Sequence, residues 1–403
     1  MSREMPEGWR AVSLSDVADL SLGQSPNSSE TNEQGIGLPF FQGNGEFGER
    51  YPIPRRWALN GPRLAEEGDI LISVRAPVGE LNVAPFRCVI GRGLGAIRAR
   101  KVDTSFLWHA LHFSAPQLHS VSQGSTFDAI NRGDLSKLTL PLPPLQEQRR
   151  IAEILSSVDE AIAATRAVIE QTRKVRSEIL STSFPEHRAV GRSTTDDTFK
   201  GWSVEPASSI CESIIDCKNR TPPVTENGYA VVRTPNVRNG RFRYDGLQFT
   251  DKHSFQEWTA KGVPRAGDIL FTREAPYGEV CMAPAMAFCL GQRMMFMRPD
   301  PSRVSSDFLL YALQSGSVKQ EMFRRAGGST VGHLRVGDVR ALPIPVAPRE
   351  VQLRLTSTLR SLDEALHRNE KTLSRLEDCK SALMSDVLTG RKRVTDALPM
   401  AAE

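Results

Sequence analysis

Eighteen residues of this 403-residue chain occur twice. The first copy reads GDILISVRAPVGELNVAP at 68–85, the second reads GDILFTREAPYGEVCMAP at 267–284, and ten positions are identical. Each copy predicts a short apolar strand that follows a Gly-Asp turn and ends at an Ala-Pro-x-Gly-Glu turn. Solenoid repeats have periods of about 20 to 50 residues, so a period of roughly 200 predicts the duplication of a whole domain.

Further matched segments occur in the same order along both halves, which makes chance a poor explanation. They are Gly8-Trp9 with Gly201-Trp202, Gly124-Ser125-Thr126 with Gly328-Ser329-Thr330, Gly133-Asp134 with Gly337-Asp338, and LPLPPLQEQRRI (140–151) with IPVAPREVQLRL (344–355). Short apolar strands, Gly- and Pro-rich connections and helical stretches predict a mixed α/β domain in each half. We expect a helix over 106–119, broken at Pro116, and a counterpart over 308–323.

A long periodic segment follows the proline-rich end of each domain. In the first segment the seam residues, spaced alternately three and four apart, are Ile151, Ile154, Val158, Ala161, Thr165, Val168, Thr172, Val175 and Ile179. In the second they are Leu355, Leu359, Leu362, Leu366, Asn369, Leu373, Leu376, Lys380, Leu383 and Val387. A heptad seam must be buried against another helix, and the other copy is the nearest partner. A pseudo-two-fold relation would set the two helices antiparallel.

These patterns predict one fold class, a mixed α/β (α+β) chain with a pseudo-two-fold internal duplication. Two similar α/β domains are separated by a pair of long antiparallel helices. The predicted segments are a first domain (1–145), a first spacer helix (146–184), a linker (185–200), a second domain (201–345), a second spacer helix (346–393) and a tail (394–403).

Composition limits the compartment and the partners. The six cysteines form no Cys-x-x-Cys pair, which favours buried thiols in a reducing cytoplasm over disulfides or zinc. No apolar run is long enough to span a membrane, and the N-terminus lacks the pattern of a signal peptide. Residues 200–345 carry 19 Lys and Arg against 14 Asp and Glu, whereas residues 1–145 carry 14 against 15. The positive excess of the second domain would suit a phosphate backbone.

Motifs of catalysis and metal binding are missing from the sequence. There is no phosphate-binding G-x-x-x-x-G-K-[ST] loop, and GRGLG (91–95) lacks the context of a dinucleotide fingerprint. His109 and His112 have no matching Cys, Glu or Asp pattern for a metal. The Pro-Pro pairs lack the context of the Asn/Asp-Pro-Pro motif of adenine methyltransferases. The sequence therefore predicts a chain that binds, with no catalytic residue and no metal site.

The combined organisation resembles the DNA specificity subunit of type I restriction-modification systems. The likeness rests on GQSPNSSETNEQGIGLPFFQGNGEFG (23–48), the GDILIS-x-x-AP-x-G phrase, LPLPPLQEQRRIAEILSSVDEAI (140–162) and LMSDVLTGRKRV (383–394). The second copy departs in VAPREVQLRL, which lacks the Glu-Gln pair, and in Gly332-His333-Leu334, which replaces Asp128-Ala129-Ile130. Residue-level transfer from the family is weaker there.

The resemblance implies that each α/β domain is a target-recognition domain for one half of a bipartite double-stranded DNA site, with the helices setting the gap. Two methyltransferase subunits would dock on the chain, and two motor-nuclease subunits can join the complex. It further implies that this chain binds no cofactor, since S-adenosylmethionine, ATP and magnesium belong to the partner subunits. Adenine methylation and ATP-dependent cleavage would be activities of the complex, with the flipped base handled by the methyltransferase.

The candidate DNA-contact residues are polar and basic, because such side chains read base edges and bind phosphates. In the first half they are Gln24, Ser25, Gln42, Asn44, Arg55, Arg56, Arg92, Ser125 and Thr126. In the second half they are Lys218, Asn219, Arg220, Arg233, Asn236, Arg238, Arg241, Arg293, Ser329 and Thr330, and the run RTPNVRNGRFR (233–243) is the strongest candidate.

Two other classes of function stay open on the sequence alone. A stand-alone DNA-modifying enzyme with unrecognised motifs would bind S-adenosylmethionine by itself. A coiled-coil adaptor for RNA or protein would be indifferent to duplex DNA.

Overall fold

The computed structural model describes residues 5–122, 129–186, 199–328 and 332–394. The chain forms two compact units, Met1–Arg166 with Lys371–Glu403, and Ala167–Glu370. Each unit combines one α/β domain with a segment of both long helices. The boundaries of the units therefore fall inside the two long helices and not at the ends of the predicted domains. The reason is that each long helix packs against residues from both halves of the sequence.

The first unit contains two main sheets and a short strand pair. Its elements are β1 (Arg10–Ser13), α1 (Leu14–Val17), β2 (Ala18–Leu22), β3 (Thr31–Asn32), β4 (Leu38–Phe41), β5 (Trp57–Ala58), β6 (Leu64–Ala65), β7 (Ile70–Ser73), β8 (Leu81–Val83), β9 (Cys88–Ile90), β10 (Leu94–Ala99), α2 (Thr104–Ser122), α3 (Arg132–Ser136), β11 (Thr139–Leu142) and the start of α4 (Leu145–Thr182). One sheet has the antiparallel order β2-β10-β7-β8, and the other has the order β3-β5-β4-β9-β6 with β4 and β9 parallel. Strand β1 pairs with β11.

The second unit repeats this plan. Its elements are β12 (Ser203–Pro206), β13 (Cys211–Asp216), β14 (Tyr229–Val232), β15 (Val237–Arg238), β16 (Arg241–Phe242), β17 (Gln248–Thr250), α5 (Lys252–Trp258), β18 (Ile269–Thr272), β19 (Val280–Met282), β20 (Phe288–Leu290), β21 (Met294–Pro299), α6 (Ser306–Gln314), α7 (Gly316–Arg325), α8 (Val336–Arg340), β22 (Pro343–Val346) and the start of α9 (Arg349–Val387). The sheet orders are β13-β21-β18-β19 and β17-β14-β20, with β14 and β20 parallel. The duplicated mixed α/β fold is confirmed.

The repeated phrase supplies the buried carboxylate of the same ion pair to both four-stranded sheets. Asp69 and Asp268, which precede β7 and β18, are only 5% and 3% exposed. Arg98 on β10 donates from Nε and Nη2 to the two carboxylate oxygens of Asp69 (2.8 and 2.7 Å). Arg298 on β21 does the same to Asp268 (2.9 and 2.8 Å). The Gly-Asp pair recurs because each sheet needs this carboxylate beside the same strand.

Each long helix begins with a buried glutamine that holds the proline-rich segment before it. Gln148 donates from Nε2 to the carbonyl of Pro143 (2.8 Å), and Gln352 donates likewise to Ala347 (3.0 Å). The second copy therefore keeps this glutamine although it lacks the Glu-Gln pair of the first.

The helical stretch that contains Pro116 is continuous, so the expected break there is wrong. Helix α2 runs through the proline, which removes only one backbone donor, and buried side chains such as Phe106 and Leu118 hold it on the sheet. The break occurs in the other copy, between α6 and α7. Ser315 is extended there (φ −64°, ψ 153°), and its hydroxyl donates to the carbonyl of Ala312 (2.7 Å).

The long helices bury apolar seams, one of which differs from the predicted positions. In α9 the predicted seam is confirmed, with Leu359 and Leu366 buried. In α4 the predicted Ile151 is buried, but the buried residues farther along include Leu155, Ile162 and Ile169, whereas the predicted Val168 is 50% exposed. Apolar residues occupy both neighbouring positions, so spacing alone could not select between them. No helix in the described part of the chain is long and apolar enough to cross a membrane.

Ion pairs connect α4 and α9 within each unit. They are Asp159–Lys380 (2.6 Å) and Arg166–Glu377 (2.8 Å) in the first unit, and Arg173–Glu370 (2.9 Å) and Arg176–Asp363 (2.5 Å) in the second. Residue numbers rise along one helix as they fall along the other, so the helices are antiparallel in both units.

Two histidines of α2 face these helices in the first unit. His109 is 1% exposed, and its Nε2 lies 3.2 Å from the hydroxyl of Ser156 on α4. Burial lowers the pKa of His109 to about 4, an effect that Asp159 opposes and that Lys380, His112 and Arg50 reinforce. Burial also lowers the pKa of His112 to about 4, again with Lys380 lowering it and Asp159 raising it.

Acid should therefore destabilise the first unit through these imidazoles. An unfolded histidine takes up a proton near pH 6.5, whereas the folded chain resists protonation until about pH 4, so the free energy of unfolding should fall as the pH drops across this window. Protonation of His109 alone should lower the free energy of unfolding by about 3 kcal/mol across this window. Urea unfolding at pH 7.0, 5.5 and 4.5 would measure it, with His109→Gln as the comparison. A wild-type pH dependence no steeper than that of His109→Gln would contradict the assignment.

Candidate nucleic-acid interface

In the first unit, polar side chains gather where the parallel strands β4 and β9 end. The chain continues from these strands through Gln42 and Arg92, and the Gly91 amide donates to the carbonyl of Phe41 (2.8 Å). The Ser25 hydroxyl accepts from Gln42 Nε2 (3.1 Å) and from the Arg92 amide (3.3 Å). Gln24 and Arg92 are exposed. We call Gln24, Ser25, Gln42 and Arg92 the first strand-end cluster.

Glycine is required at the centre of this cluster. A Cβ atom at Gly23 would lie 2.1 Å from the carbonyl oxygen of Gly91, and that oxygen belongs to the backbone. The segment before Gln24 can therefore approach the end of β9 only without a side chain. This close approach brings Gln24 and Ser25 beside the two strand ends.

The second unit builds the same arrangement at the ends of β14 and β20. The Gly291 amide donates to the carbonyl of Val232 (2.8 Å), as Gly91 does to Phe41. Gln292 Nε2 donates to the carbonyl of Asn219 (3.1 Å), and Arg233 Nη2 donates to the carbonyl of Gly246 (3.2 Å). We call Lys218, Asn219, Arg233 and Gln292 the second strand-end cluster.

Equivalent backbone positions in the two clusters carry different polar groups. The shared hydrogen bonds make Gln42 equivalent to Arg233 and Arg92 equivalent to Gln292. Gln292 was not among the predicted contact residues. An alignment of Gly91-Arg92-Gly93 with Gly291-Gln292-Arg293 would have identified it.

Other predicted residues of the first half flank its cluster. Arg55 and Arg56 are exposed, and the Arg56 carbonyl accepts from the amide of Phe40 on β4 (2.8 Å). Asn44 donates from Nδ2 to Glu80 Oε2 (3.0 Å), so it is tied to the repeated phrase. The hydrogen bond places the backbone of Arg56 beside β4, two residues before Gln42, and Asn44 has a local partner.

Two residues of the run RTPNVRNGRFR have partners inside the unit, and one of them, Asn236, is too buried for a direct contact with DNA. Asn236 is 1% exposed, and its Nδ2 donates to the carbonyls of Arg243 (3.1 Å) and Asp245 (3.2 Å). Its side chain therefore holds the loop together. Arg241 donates to Glu370 on α9 (2.5 Å) and is turned toward the helix. Tertiary structure gives both groups a partner, and residue type alone cannot reveal this.

Three more predicted cations have carboxylate partners. Lys218 and Arg220 both contact Glu257 (2.5 Å each) and lie 4.9 Å from the ring of Trp258. Arg293 pairs with Glu274 (2.6 Å). These cations remain partly exposed, yet a phosphate would have to compete with the carboxylate for them.

A basic cavity of about 960 Å³ lies in the second unit beside the same run. Arg238, Arg243 and Lys319 line it, and Arg238 Nη1 is buried without a hydrogen-bond partner. The exposed ring of Tyr244 stands at its wall. Arg238 and Arg243 belong to a hairpin, 236–243, whose counterpart in the first unit is 46–53. The counterpart has Gly48 and Ile53 at the positions of these two arginines.

The remaining predicted contacts, Ser125, Thr126, Ser329 and Thr330, lie outside the described residues. Within the part of the chain that the structure describes, no group of three or more His, Cys, Asp or Glu side chains is placed to hold a metal ion.

Comparison with known proteins places this geometry in a family context. The family model described as type I restriction modification DNA specificity domain matches residues 6–172 and 200–377. A Methanocaldococcus jannaschii protein named as the MjaVIII type I restriction enzyme specificity subunit is 23% identical over 407 residues, which covers 97% of this chain and 94% of that protein. A protein of the same organism, named for the MjaX specificity subunit, is 41% identical over 182 residues, only 43% of its length.

A solved structure shares the fold. The crystal structure of the S subunit of a type I restriction-modification system from M. genitalium superposes with a TM-score of 0.65 at 16% identity. The match covers 98% of this chain and 99% of that one.

Proposed function

Because this chain belongs to the type I restriction modification DNA specificity family, we propose that each of its α/β domains reads one half of a bipartite DNA target. The observation that carries this proposal is the pair of strand-end clusters. Two domains present the same backbone at the ends of parallel strands, with Gln42 and Arg92 in one and Arg233 and Gln292 in the other. Because the backbone arrangement is the same and the polar side chains differ, one kind of domain could read two different DNA sequences.

The chemistry of these groups fits base edges. Arginine pairs in a bidentate manner with guanine, and glutamine pairs similarly with adenine, in the major groove. The cavity lined by Arg238, Arg243 and Lys319 would receive the phosphate backbone, which carries no sequence information but fixes the register of the protein.

The chain itself acts as the non-catalytic subunit in this proposal. Proteins of this family act with other restriction-modification subunits and with DNA. Two methyltransferase subunits would dock on this chain and bring S-adenosylmethionine, and motor-nuclease subunits would bring ATP and magnesium. The antiparallel helices α4 and α9 would set the number of base pairs between the half-sites, since their length is fixed by the heptad seam.

The decisive experiment is a map of methylated adenines in DNA from cells that co-express this chain with its cognate methyltransferase subunit. The expected motif has two short half-sites separated by unspecified bases, with one modified adenine on each strand. A continuous motif would contradict the two-reader assignment. Binding of S-adenosylmethionine by the isolated chain would instead favour an enzyme.

A further inference from the structure

In the first unit a hairpin of the α/β domain is fastened to the long helices by three charges. The hairpin, 46–53, is closed by the Ile53 amide and the Glu46 carbonyl (2.8 Å). Its Glu49 lies 2.8 Å from Arg166 on α4, and the same arginine lies 2.8 Å from Glu377 on α9. The order of charges is negative, positive, negative.

The second unit has the corresponding fastening with every charge reversed. Its hairpin, 236–243, is closed by the Arg243 amide and the Asn236 carbonyl (2.8 Å). Arg241 of the hairpin lies 2.5 Å from Glu370 on α9, and Glu370 lies 2.9 Å from Arg173 on α4. We call these two triplets the charge clamps.

The reversal matters because the two long helices are copies of one another. The offset of 204 that aligns 140–151 with 344–355 also places Arg166 on Glu370 and Arg173 on Glu377. If α4 packed antiparallel against α4 of a second molecule in the native register, Arg166 would meet Arg173. If α9 packed against another α9, Glu370 would meet Glu377. Both alternatives place like charges together, whereas pairing of α4 with α9 places opposite charges together.

The other ion pairs of these helices do not discriminate in this way. Asp159 with Lys380 and Asp363 with Arg176 share the same offset, but both have an aspartate facing a cation. Pairing α4 with a second α4 would set Asp159 against Arg176, which is again favourable. Selection between the alternatives therefore falls on the clamps.

We propose that the inverted charge clamps favour the pairing of α4 with α9 and disfavour a dimer in which α4 pairs with α4, and α9 with α9, of a second molecule. The apolar seams of the two copies are similar, so they give little discrimination of their own. Each clamp also ties the hairpin beside a strand-end cluster to the helices. Pairing of like helices would therefore place the hairpin charge beside two helix charges of the same sign. This inference does not depend on the DNA target.

The test gives both clamps the same polarity and keeps their ion pairs. The triple variant Arg173→Glu, Glu370→Arg, Arg241→Glu gives the second clamp the polarity of the first, keeps every native clamp pair opposite in sign and makes both like-helix pairings attractive. After unfolding in urea and refolding at high concentration, size-exclusion chromatography with light scattering should show a dimer fraction raised about tenfold over that of the wild type.

A matched control inverts both clamps. The sixfold variant adds Glu49→Arg, Arg166→Glu and Glu377→Arg to the triple variant, which restores opposite polarities and like-charge repulsion in a dimer with like helices paired. It should refold as a monomer although it carries twice as many substitutions. Equal dimer fractions in the two variants would overturn the proposal. So would a triple variant that recovers its helical content on refolding and is still a monomer.

A measurement on the unmodified chain guards against poor folding of the variants. Refolding in 1 M salt screens exposed charges, so the dimer fraction of the wild type should rise toward that of the triple variant. A wild-type dimer fraction that does not change with salt would also overturn the proposal.

Discussion

Alanine at both Arg233 and Gln292 is expected to abolish recognition of one half-site and to leave the other half-site intact. Each bidentate contact between a side chain and a base contributes about 1–3 kcal/mol of discrimination, so the double variant should lose roughly 10²-fold or more in affinity at its half-site. The companion variant Gln42→Ala, Arg92→Ala should lose the opposite half-site. Methylation maps of the two variants, with competition binding to DNA altered in one half-site at a time, would measure the effect.

Variants of the basic cavity provide the control for this experiment. Arg243→Gln and Lys319→Gln should weaken binding to all DNA sequences similarly, because a phosphate contact carries no sequence information. Each should also reduce the slope of log affinity against log salt by about one. If the alanine variants at the strand-end cluster weakened both half-sites equally, the cluster would be a phosphate contact and the proposed reading role would be wrong.

Methionine at Arg298 is expected to destabilise the second unit by about 3–5 kcal/mol, because it leaves a buried carboxylate without its partner. Asp268 is 3% exposed, and Arg298 donates to both of its oxygens. The same change at Arg98 should destabilise the first unit less, since half of the Arg98 side chain is exposed and water can partly replace it. Chemical unfolding followed by circular dichroism would give both free energies.

The double variant Asp268→Asn, Arg298→Met separates the buried charge from lost packing. Removing both charges should recover part of the stability that Arg298→Met loses, because no unpaired carboxylate remains. If Arg298→Met lowered the free energy of unfolding by less than about 1 kcal/mol, burial of the charge would not explain why Gly-Asp occurs in both copies.

The structure brings some of the candidate contact residues together at the ends of strands and gives others partners within the protein. Gln24, Ser25, Gln42 and Arg92 were selected by residue type and come together because β4 and β9 end side by side. Asn236 and Arg241 meet the same criterion, yet Asn236 is buried and Arg241 is paired with Glu370 on α9. Gln292, at the position equivalent to Arg92, is not among the candidates predicted from the sequence, because the basic residue beside it, Arg293, fits the criterion of residue type better.

The duplication, the α/β character of each half and the presence of two long helices follow from the sequence by itself. A repeated phrase, an offset shared by several motifs and heptad spacing are local patterns, and each states a period or a length without reference to distant residues.

Tertiary structure alone decides which charges meet and which residues form one compact unit. The strand of the repeated phrase needs a partner on β10 or β21, and the clamps join residues as far apart as Glu49 and Arg166 or Arg241 and Glu370. The sequence shows all of these charged residues but does not indicate which of them form ion pairs. Their partners are selected by burial and antiparallel packing, because an ion pair forms only where the fold brings two side chains within a few ångströms.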